Sequence, residues 1–427
     1  MTADLFGSPP TQIATRRRAH LTFRGNVQHG RHGWLRLTPA YSLHVVRDLL
    51  AGRHGDQVVL DPFSGTGTTA LAAAALGMAA HAVDINPFLV WLGNAKLRRY
   101  SARAADDLRA VAAEMTRRHS GHPSRARPWV PAIHQVERWW DADALAALSA
   151  LWAGIRAREA EDELSDLMKI AFCRAAIETS HAAFNHQSMS FRPASARTQP
   201  TLFTTRTEGQ ERVMASFMAA AEDLAHSLSV DVPIAEARVW LGDARHLERI
   251  LPAAYYTVVI TSPPYPNRMS YIRELRPYMY WLGYLTSGRQ AGELDWSAIG
   301  GTWGCATSRL AAWRPNEALT IPYPGFDPMI ARIQDVHPLL GRYVHKYFED
   351  IKEHLASLRR VVALGATCHY IVGNSKFYDT LVPTEEIYAA LLEDAGFAEV
   401  RIERLRKRNS KKELYEFVVH ARAAGSP

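Results

Sequence analysis

The chain has 427 residues, 47% hydrophobic and 22% charged, with a formal net charge of +7. That length excludes one small module and accommodates a catalytic domain with a large insertion or second domain, and the positive charge is a modest push toward a polyanion. With no apolar run of spanning length and no signal-peptide pattern at the start, the expectation is a cytoplasmic protein with no membrane partner.

Residues 1 to 20 are polar and Arg-rich ("ATRRRAH"), a basic flexible tail by this reading, and an amphipathic helix follows over Ser42 to Leu50. "DQVVLDPFSGTGTTALAAAALG" reads as a strand over Val58 to Leu60, a Gly-rich turn and an Ala-rich helix stopping near Gly77. "AAHAVDINP" is a second strand with Asp84 at its C-terminal end, which completes one right-handed parallel crossover unit. From about 88 to 236 the strand–helix alternation is lost, and 98–236 reads as a helical insertion. Alternation resumes with "ARVWLGDAR", a third strand ending at Asp243, and "YYTVVITSPPY", a fourth. Residues 285–340 carry Gly, Pro and Trp with little periodicity and read as an irregular insertion, followed by the amphipathic helix "VHKYFEDIKEHLASLRRVV". "LGATCHYIVGNS" is a fifth strand, and residues 398–423 read as a C-terminal hairpin around a basic turn. Cys173, Cys305 and Cys368 lie far apart without CxxC spacing, so buried free thiols are expected, with neither a disulfide framework nor a metal site.

In an open parallel sheet, ligands bind beyond the C-terminal ends of the strands, near the point where strand order reverses. Polar or turn residues cluster at those ends: Asp61-Pro62-Phe63-Ser64-Gly65-Thr66-Gly67, Asp84, Asp243, and Ser262-Pro263-Pro264-Tyr265. Gly65 and Gly67 permit a tight turn and close ligand approach. The loop lacks the lysine of a triphosphate-binding GxxxxGK[ST] loop, while a carboxylate about 20 residues downstream suits ribose hydroxyls. A nucleoside-bearing cofactor other than a triphosphate is the expectation. Two consecutive prolines after the fourth strand keep their carbonyls out of the sheet ladder, free to accept from an outside donor. Ser262 adds an acceptor and Tyr265 a flat face, a combination suited to a planar base bearing an exocyclic amine.

"DPFSGTGTT", "VDINP", "GDAR" and "TSPPY" resemble the cofactor and catalytic motifs of the amino-group DNA methyltransferases, which methylate cytosine N4 or adenine N6 with S-adenosylmethionine. The resemblance covers 21–97 and 237–421. It implies a methyltransferase domain over 21–97 and 237–427, built as a Rossmann-like α/β, mostly parallel seven-stranded sheet with a C-terminal antiparallel hairpin, into which the helical insertion is set. It also implies cofactor contacts by Thr38, Pro39 and Tyr41, by Asp61 to Thr68 (Asp61, Pro62, Phe63, Ser64, Gly65, Thr66, Gly67, Thr68), by Asp84, Ile85 and Asn86, and by Asp243 and Ala244. Asp84 would hold the ribose, Asp243 would accept from the adenine amine, and Ser262, Pro263, Pro264 and Tyr265 would hold the target base. The cofactor loop precedes the tetrapeptide, unlike family members with permuted order.

Serine at the first position of the tetrapeptide leans, by resemblance, toward cytosine N4 over adenine N6. C5 methylation, which uses a cysteine nucleophile, is not expected because no Pro-Cys dipeptide is present. The implied partner is double-stranded DNA, with the target base flipped out, in a restriction-modification or defence setting; a cognate restriction endonuclease is left open. An RNA or protein-amide methyltransferase and a non-catalytic nucleic-acid-binding subunit are the rival readings. Candidate DNA contacts are His181, Asn185, His186, Gln187, Arg192 and Arg197 in the insertion, Arg268 beside the tetrapeptide, and Lys407, Arg408, Asn409 and Lys411 in the final hairpin turn. Either insertion, 98–236 or 285–340, is a candidate recognition region.

Overall fold

The structure, a computed structural model, describes residues 25–26, 29–35, 37, 41–119, 129–158, 163–183, 190–192, 208–267, 269–302, 305–409 and 413–425. Seven strands make the main sheet: β1 (Val58–Asp61), β2 (Ala79–Asp84), β3 (Ala237–Leu241), β4 (Tyr256–Thr261), β5 (Val362–Gly373), β6 (Phe397–Asn409) and β7 (Leu414–Ala423). Their spatial order is β3-β2-β1-β4-β5-β7-β6, a Rossmann-like α/β arrangement. Pairing is parallel from β3 through β5, and β7 runs antiparallel to both neighbours.

The central strands are apolar on both faces because helices cover both. Alternation sends Val59, Val258 and Ile260 to one face, under helices Leu43–Leu50 and Thr68–Ala75. Leu60 and Val259 go to the other, under helices Phe326–Val336, Pro338–Val361 and Thr384–Asp394. The edge strand β6 exposes Arg401, Glu403 and Arg404, charges of the kind that discourage edge-to-edge pairing.

The insertion between β2 and β3 contains helices Ala104–His119, Ala142–Ala157, Glu163–Glu178 and Glu208–Ser227, with a small antiparallel pair, Ala182–Ala183 and Ser190–Phe191. Their apolar faces form one cluster with Phe88 of helix Pro87–Leu97 and with Leu275, Met279 and Trp281 of helix Tyr271–Trp281. The insertion is therefore packed onto the helix that starts just after the tetrapeptide. Arg31 is buried at the junction, where its guanidinium donates to the carbonyls of Lys96 (2.9 Å), Arg98 (2.5 Å) and Leu228 (2.8 Å), satisfying the chain ends of two helices.

One expectation changes, and one helix lies where the sequence reading placed no element. Residues 285–340 are not irregular: they fold helices Gly288–Ser297, Cys305–Ala312 and Phe326–Val336. Each is short, so the Gly and Pro at their borders dominate the pattern. Helix Tyr271–Trp281 carries Pro277 inside it, and proline normally signals a break. Cys173 and Cys368 are buried and free, whereas the Cys305 side chain lies outside the described residues. Among the described residues no helix is long and apolar enough to cross a membrane.

Candidate active site

β1 and β4 are adjacent parallel strands, with Val59 opposite Val258 and Leu60 opposite Val259, so the Gly-rich loop and the tetrapeptide leave the same edge of the sheet side by side. The chain crosses to β2 on one side of β1 and returns to β4 on the other, which makes this edge the point where strand order reverses.

Asp61, the last residue of β1, is fully buried, and its carboxylate gathers three donors: Thr261 Oγ1 at 2.6 Å, Tyr41 Oη at 2.8 Å and the Phe63 amide at 3.1 Å. Tyr41 Oη also contacts Thr69 Oγ1, which donates to the Ile260 carbonyl at 3.2 Å. Burial pushes the Asp61 carboxyl above its ordinary range, and the donors pull against that shift. Both Asp61 and Tyr41 were expected to meet the cofactor. Instead their polar atoms meet each other and form a clasp: Thr261 immediately precedes the tetrapeptide, so this hydrogen bond fastens the tetrapeptide to the Gly-rich loop. Thr38 and Pro39 lie outside the described residues.

Beyond the clasp, Ser64 N donates to Val83 O at 2.9 Å and Gly67 N to Ser64 O at 2.9 Å, folding the loop back against β2. Gly65 and Gly67 have φ of 52° and 78°, left-handed values that explain the two glycines. Pro62, Thr66 and Thr68 are buried, while Phe63 is half-buried and packs edge-on against His354 at 4.7 Å. Beneath the loop, buried Lys96 donates to the Thr66 carbonyl at 3.0 Å, and its burial pushes the ammonium down to about 7. Asp84 accepts from Gly65 N at 2.8 Å and Asn86 N at 2.9 Å, so one carboxylate fixes both the loop and the turn after β2. Burial pushes Asp84 up to about 7 despite those amides. Half-buried Ile85 leads to Asn86, whose side chain caps the next helix at Phe88 N (3.0 Å). Ser64 Oγ is buried with no hydrogen-bond partner among the described residues.

Asp243 behaves differently from the expectation. Arg245, two residues on, turns back so that its Nε and Nη2 reach both carboxylate oxygens (3.0 to 2.7 Å), with the Arg245 amide adding a contact at 2.9 Å. Arg245 also pairs with Asp350 at 2.8 Å. The contacts from Arg245 outweigh burial and hold Asp243 below its usual range. Any ligand amine at Asp243 would share this carboxylate with the Arg245 guanidinium. The buried Ala244 carbonyl is 2.8 Å from His354 Nδ1, whose other nitrogen is 2.7 Å from Tyr370 Oη; burial pushes this imidazole down to about 4 and keeps it neutral.

In the tetrapeptide, Ser262 Oγ donates to the Ile371 carbonyl of β5 at 3.0 Å. Pro263 is buried, and the Pro264 carbonyl accepts from Tyr347 Oη at 2.7 Å. Tyr265 Oη donates to Glu416 at 2.9 Å, Glu416 pairs with Arg406 at 2.7 Å, and the Arg408 guanidinium lies 4.9 Å from the Tyr265 ring centre. A Cβ on Gly373 would collide with Arg408 Nη1 and Tyr265 Cε2, so this close approach of β5 requires glycine.

Of the candidate nucleic-acid contacts, Arg408 is thus brought to the tetrapeptide. Lys407 lies 5.8 Å from the Tyr415 ring centre. His181 is buried with Nε2 3.0 Å from Asp141, where its backbone closes the small hairpin through Arg192 N at 2.9 Å; Arg192 itself is exposed. Burial and the Asp141 partner give His181 a structural place. Asn185, His186, Gln187, Arg197, Arg268 and Lys411 lie outside the described residues, as does the Asn409 side chain. Sequence reasoning did not name Thr261, Tyr347, Arg245 and Glu416 as site residues; Thr261 carried a signal in its place directly before the tetrapeptide, and Arg245 in its place within "GDAR".

No family model matches the chain. A stretch of 78 residues is 32% identical to the type II methyltransferase M.BsoBI of Geobacillus stearothermophilus, covering 18% of this chain and 15% of that protein. The rRNA methyltransferase aviRa from Streptomyces viridochromogenes aligns over 94% of this chain and 90% of its own, at 13% identity and a TM-score of 0.30, too low to carry an argument.

Proposed function

We propose that this protein is an S-adenosylmethionine-dependent DNA methyltransferase that methylates the exocyclic amine of a flipped base, cytosine N4 in the first instance, in a restriction-modification or defence setting. The observation that carries this reading is the Thr261–Asp61 hydrogen bond at 2.6 Å, which holds the base-binding tetrapeptide against a cofactor-type loop at one sheet edge. The local likeness to a type II methyltransferase supports the same reaction class.

The loop fits such a cofactor: its backbone is kept open by two left-handed glycines, Ser64 Oγ is buried without a partner, and Asp84 is a carboxylate at the position suited to ribose hydroxyls. When bound, S-adenosylmethionine supplies an electrophilic methyl group. Asp243 acts at one remove, by fixing Arg245 between itself and Asp350. Ser262 donates its proton to Ile371, which leaves its lone pairs to accept from a base N–H, and the Pro263 carbonyl provides a second acceptor. Two acceptors on one amine draw its lone pair out of the ring and toward the methyl group. Arg408 covers one face of Tyr265, and in this reading the base stacks on the ring from the opposite side. Positioning of this kind, without a covalent intermediate, is the main source of acceleration.

Methyl transfer from labelled S-adenosylmethionine to unmethylated genomic DNA, followed by nucleoside digestion and mass identification, tests the proposal. N4-methylcytosine is expected, with Ser262→Ala lowering the rate about 10²-fold. N6-methyladenine would reassign the base, and cofactor binding without a DNA product would redirect the reading to RNA or to a non-catalytic binding subunit.

Asp84 gives this site a pH dependence of known sign. The folded chain keeps its proton up to about 7, whereas the unfolded chain releases it near 3.8, so this group's contribution to unliganded stability falls as pH rises between those values. Cofactor affinity should run the opposite way, because the anion is the better acceptor for ribose hydroxyls. Calorimetric titration across pH 6 to 8, about one unit either side of the Asp84 value, should show tightening with pH, and Asp84→Asn should flatten the profile.

A further inference from the structure

A second concave site lies outside the sheet edge. Trp129, Trp152, Trp281 and Tyr284, with Arg156 and Lys169, line a pocket of about 280 Å³ where the helical insertion meets helix Tyr271–Trp281. Trp281 is 1% exposed, backed by Trp140 and Phe172 at ring-centre distances of 5.6 and 5.2 Å, and its indole Nε1 is buried without a hydrogen-bond partner among the described residues. Trp129 stands edge-on to Trp281 at 5.7 Å and is 45% exposed, presenting an aromatic face to solvent.

The lining selects its ligand by charge. Aromatic pockets that receive ammonium groups use the ring quadrupole, but two cations in this wall repel such a guest. A flat ring carrying an anion meets both features: an exposed indole for stacking, and cations for the negative group. Position adds to this. Helix Tyr271–Trp281 begins just beyond the tetrapeptide, where the Ser270 side chain caps it by accepting from Arg273 N at 3.1 Å, and ends at the pocket. Its 11 residues span about 16 Å at about 1.5 Å each, close to five nucleotide steps at about 3.4 Å.

We propose that this pocket takes one unstacked nucleotide of the nucleic-acid substrate. Its base lies on Trp129, and its phosphate lies against Arg156 and Lys169. The proposal rests on the reading above that the substrate is a nucleic acid, but not on which base is methylated or on whether methyl transfer occurs.

Fluorescence anisotropy of labelled single- and double-stranded DNA oligonucleotides, read as a salt series on the full chain, tests it. Trp129→Ala should weaken binding about 5- to 150-fold, the range for losing one base–aromatic stack. Trp129→Phe should retain most of the affinity, and Arg156→Gln should lower the salt slope by about one. S-adenosylmethionine affinity, measured in parallel, should stay unchanged and so report an intact fold. Wild-type affinity and salt slope in both Trp129→Ala and Arg156→Gln would overturn the pocket while leaving the methyltransferase reading in place. A wild-type chain that binds no oligonucleotide would overturn both.

Discussion

Asp61→Ala should lower the unfolding free energy by about 3 kcal/mol, read as a shift in the urea midpoint. The alanine leaves Tyr41 Oη, Thr261 Oγ1 and the Phe63 amide without their acceptor in a fully buried place, and each such donor costs about 1–3 kcal/mol. Relief of the desolvation that raises the Asp61 carboxyl offsets part of the sum. Asp61→Asn retains one acceptor oxygen and should cost about 1 kcal/mol. Because Thr261 is released in the alanine variant, methyl transfer should fall further than the unfolded fraction explains. An alanine variant of wild-type stability would show that the clasp does not hold these strands together.

Tyr265→Ala should reduce single-turnover methyl transfer at least about 10²-fold while leaving S-adenosylmethionine affinity unchanged. In the proposed reading the ring is the surface on which the target base stacks, and it is held by Glu416 at its hydroxyl and by Arg408 over one face. Tyr265→Phe should be mild, since Glu416 keeps its ion pair with Arg406 at 2.7 Å. Equal losses in the two variants would assign the effect to the hydroxyl, and loss of cofactor binding in either would place Tyr265 in the wrong half of the site.

The sheet was legible because its evidence is local. Each central strand is a short apolar run that ends in a polar or turn residue, and a proline-proline step marks the end of β4 as plainly as a glycine pair marks the end of β1. The helices between 288 and 336 were not, since runs of 8 to 11 residues bordered by Gly and Pro give too few turns to establish a period. Helix Tyr271–Trp281 was hidden by Pro277, which its surroundings tolerate.

For the site, the sequence identified where polar groups gather but not which way they face. Asp61 and Asp243 sit at strand ends as expected, yet both bind protein donors, one from 200 residues away and one from two residues on. Nothing in the local pattern distinguishes a carboxylate waiting for a ligand from one occupied by the chain itself. Arg408 shows the reverse case: as part of a basic turn it read as one of several candidate DNA contacts, and only the fold brings it over Tyr265.

The clasp also bears on the order of events as the protein forms. β1 and β2 can pair early, through the short crossover that carries helix Thr68–Ala75, but Asp61 must wait for Thr261, 200 positions along the chain, while the whole insertion is synthesised and folds between them. Contacts of such sequence separation carry a large loop-closure cost and form slowly. Until β4 docks, β1 would keep one edge unpaired and the Asp61 carboxylate open to water, an exposure of the kind that favours association. The same pairing that completes the candidate site also ends this exposure, so the chain acquires its reactive edge and loses its exposed one in a single late step.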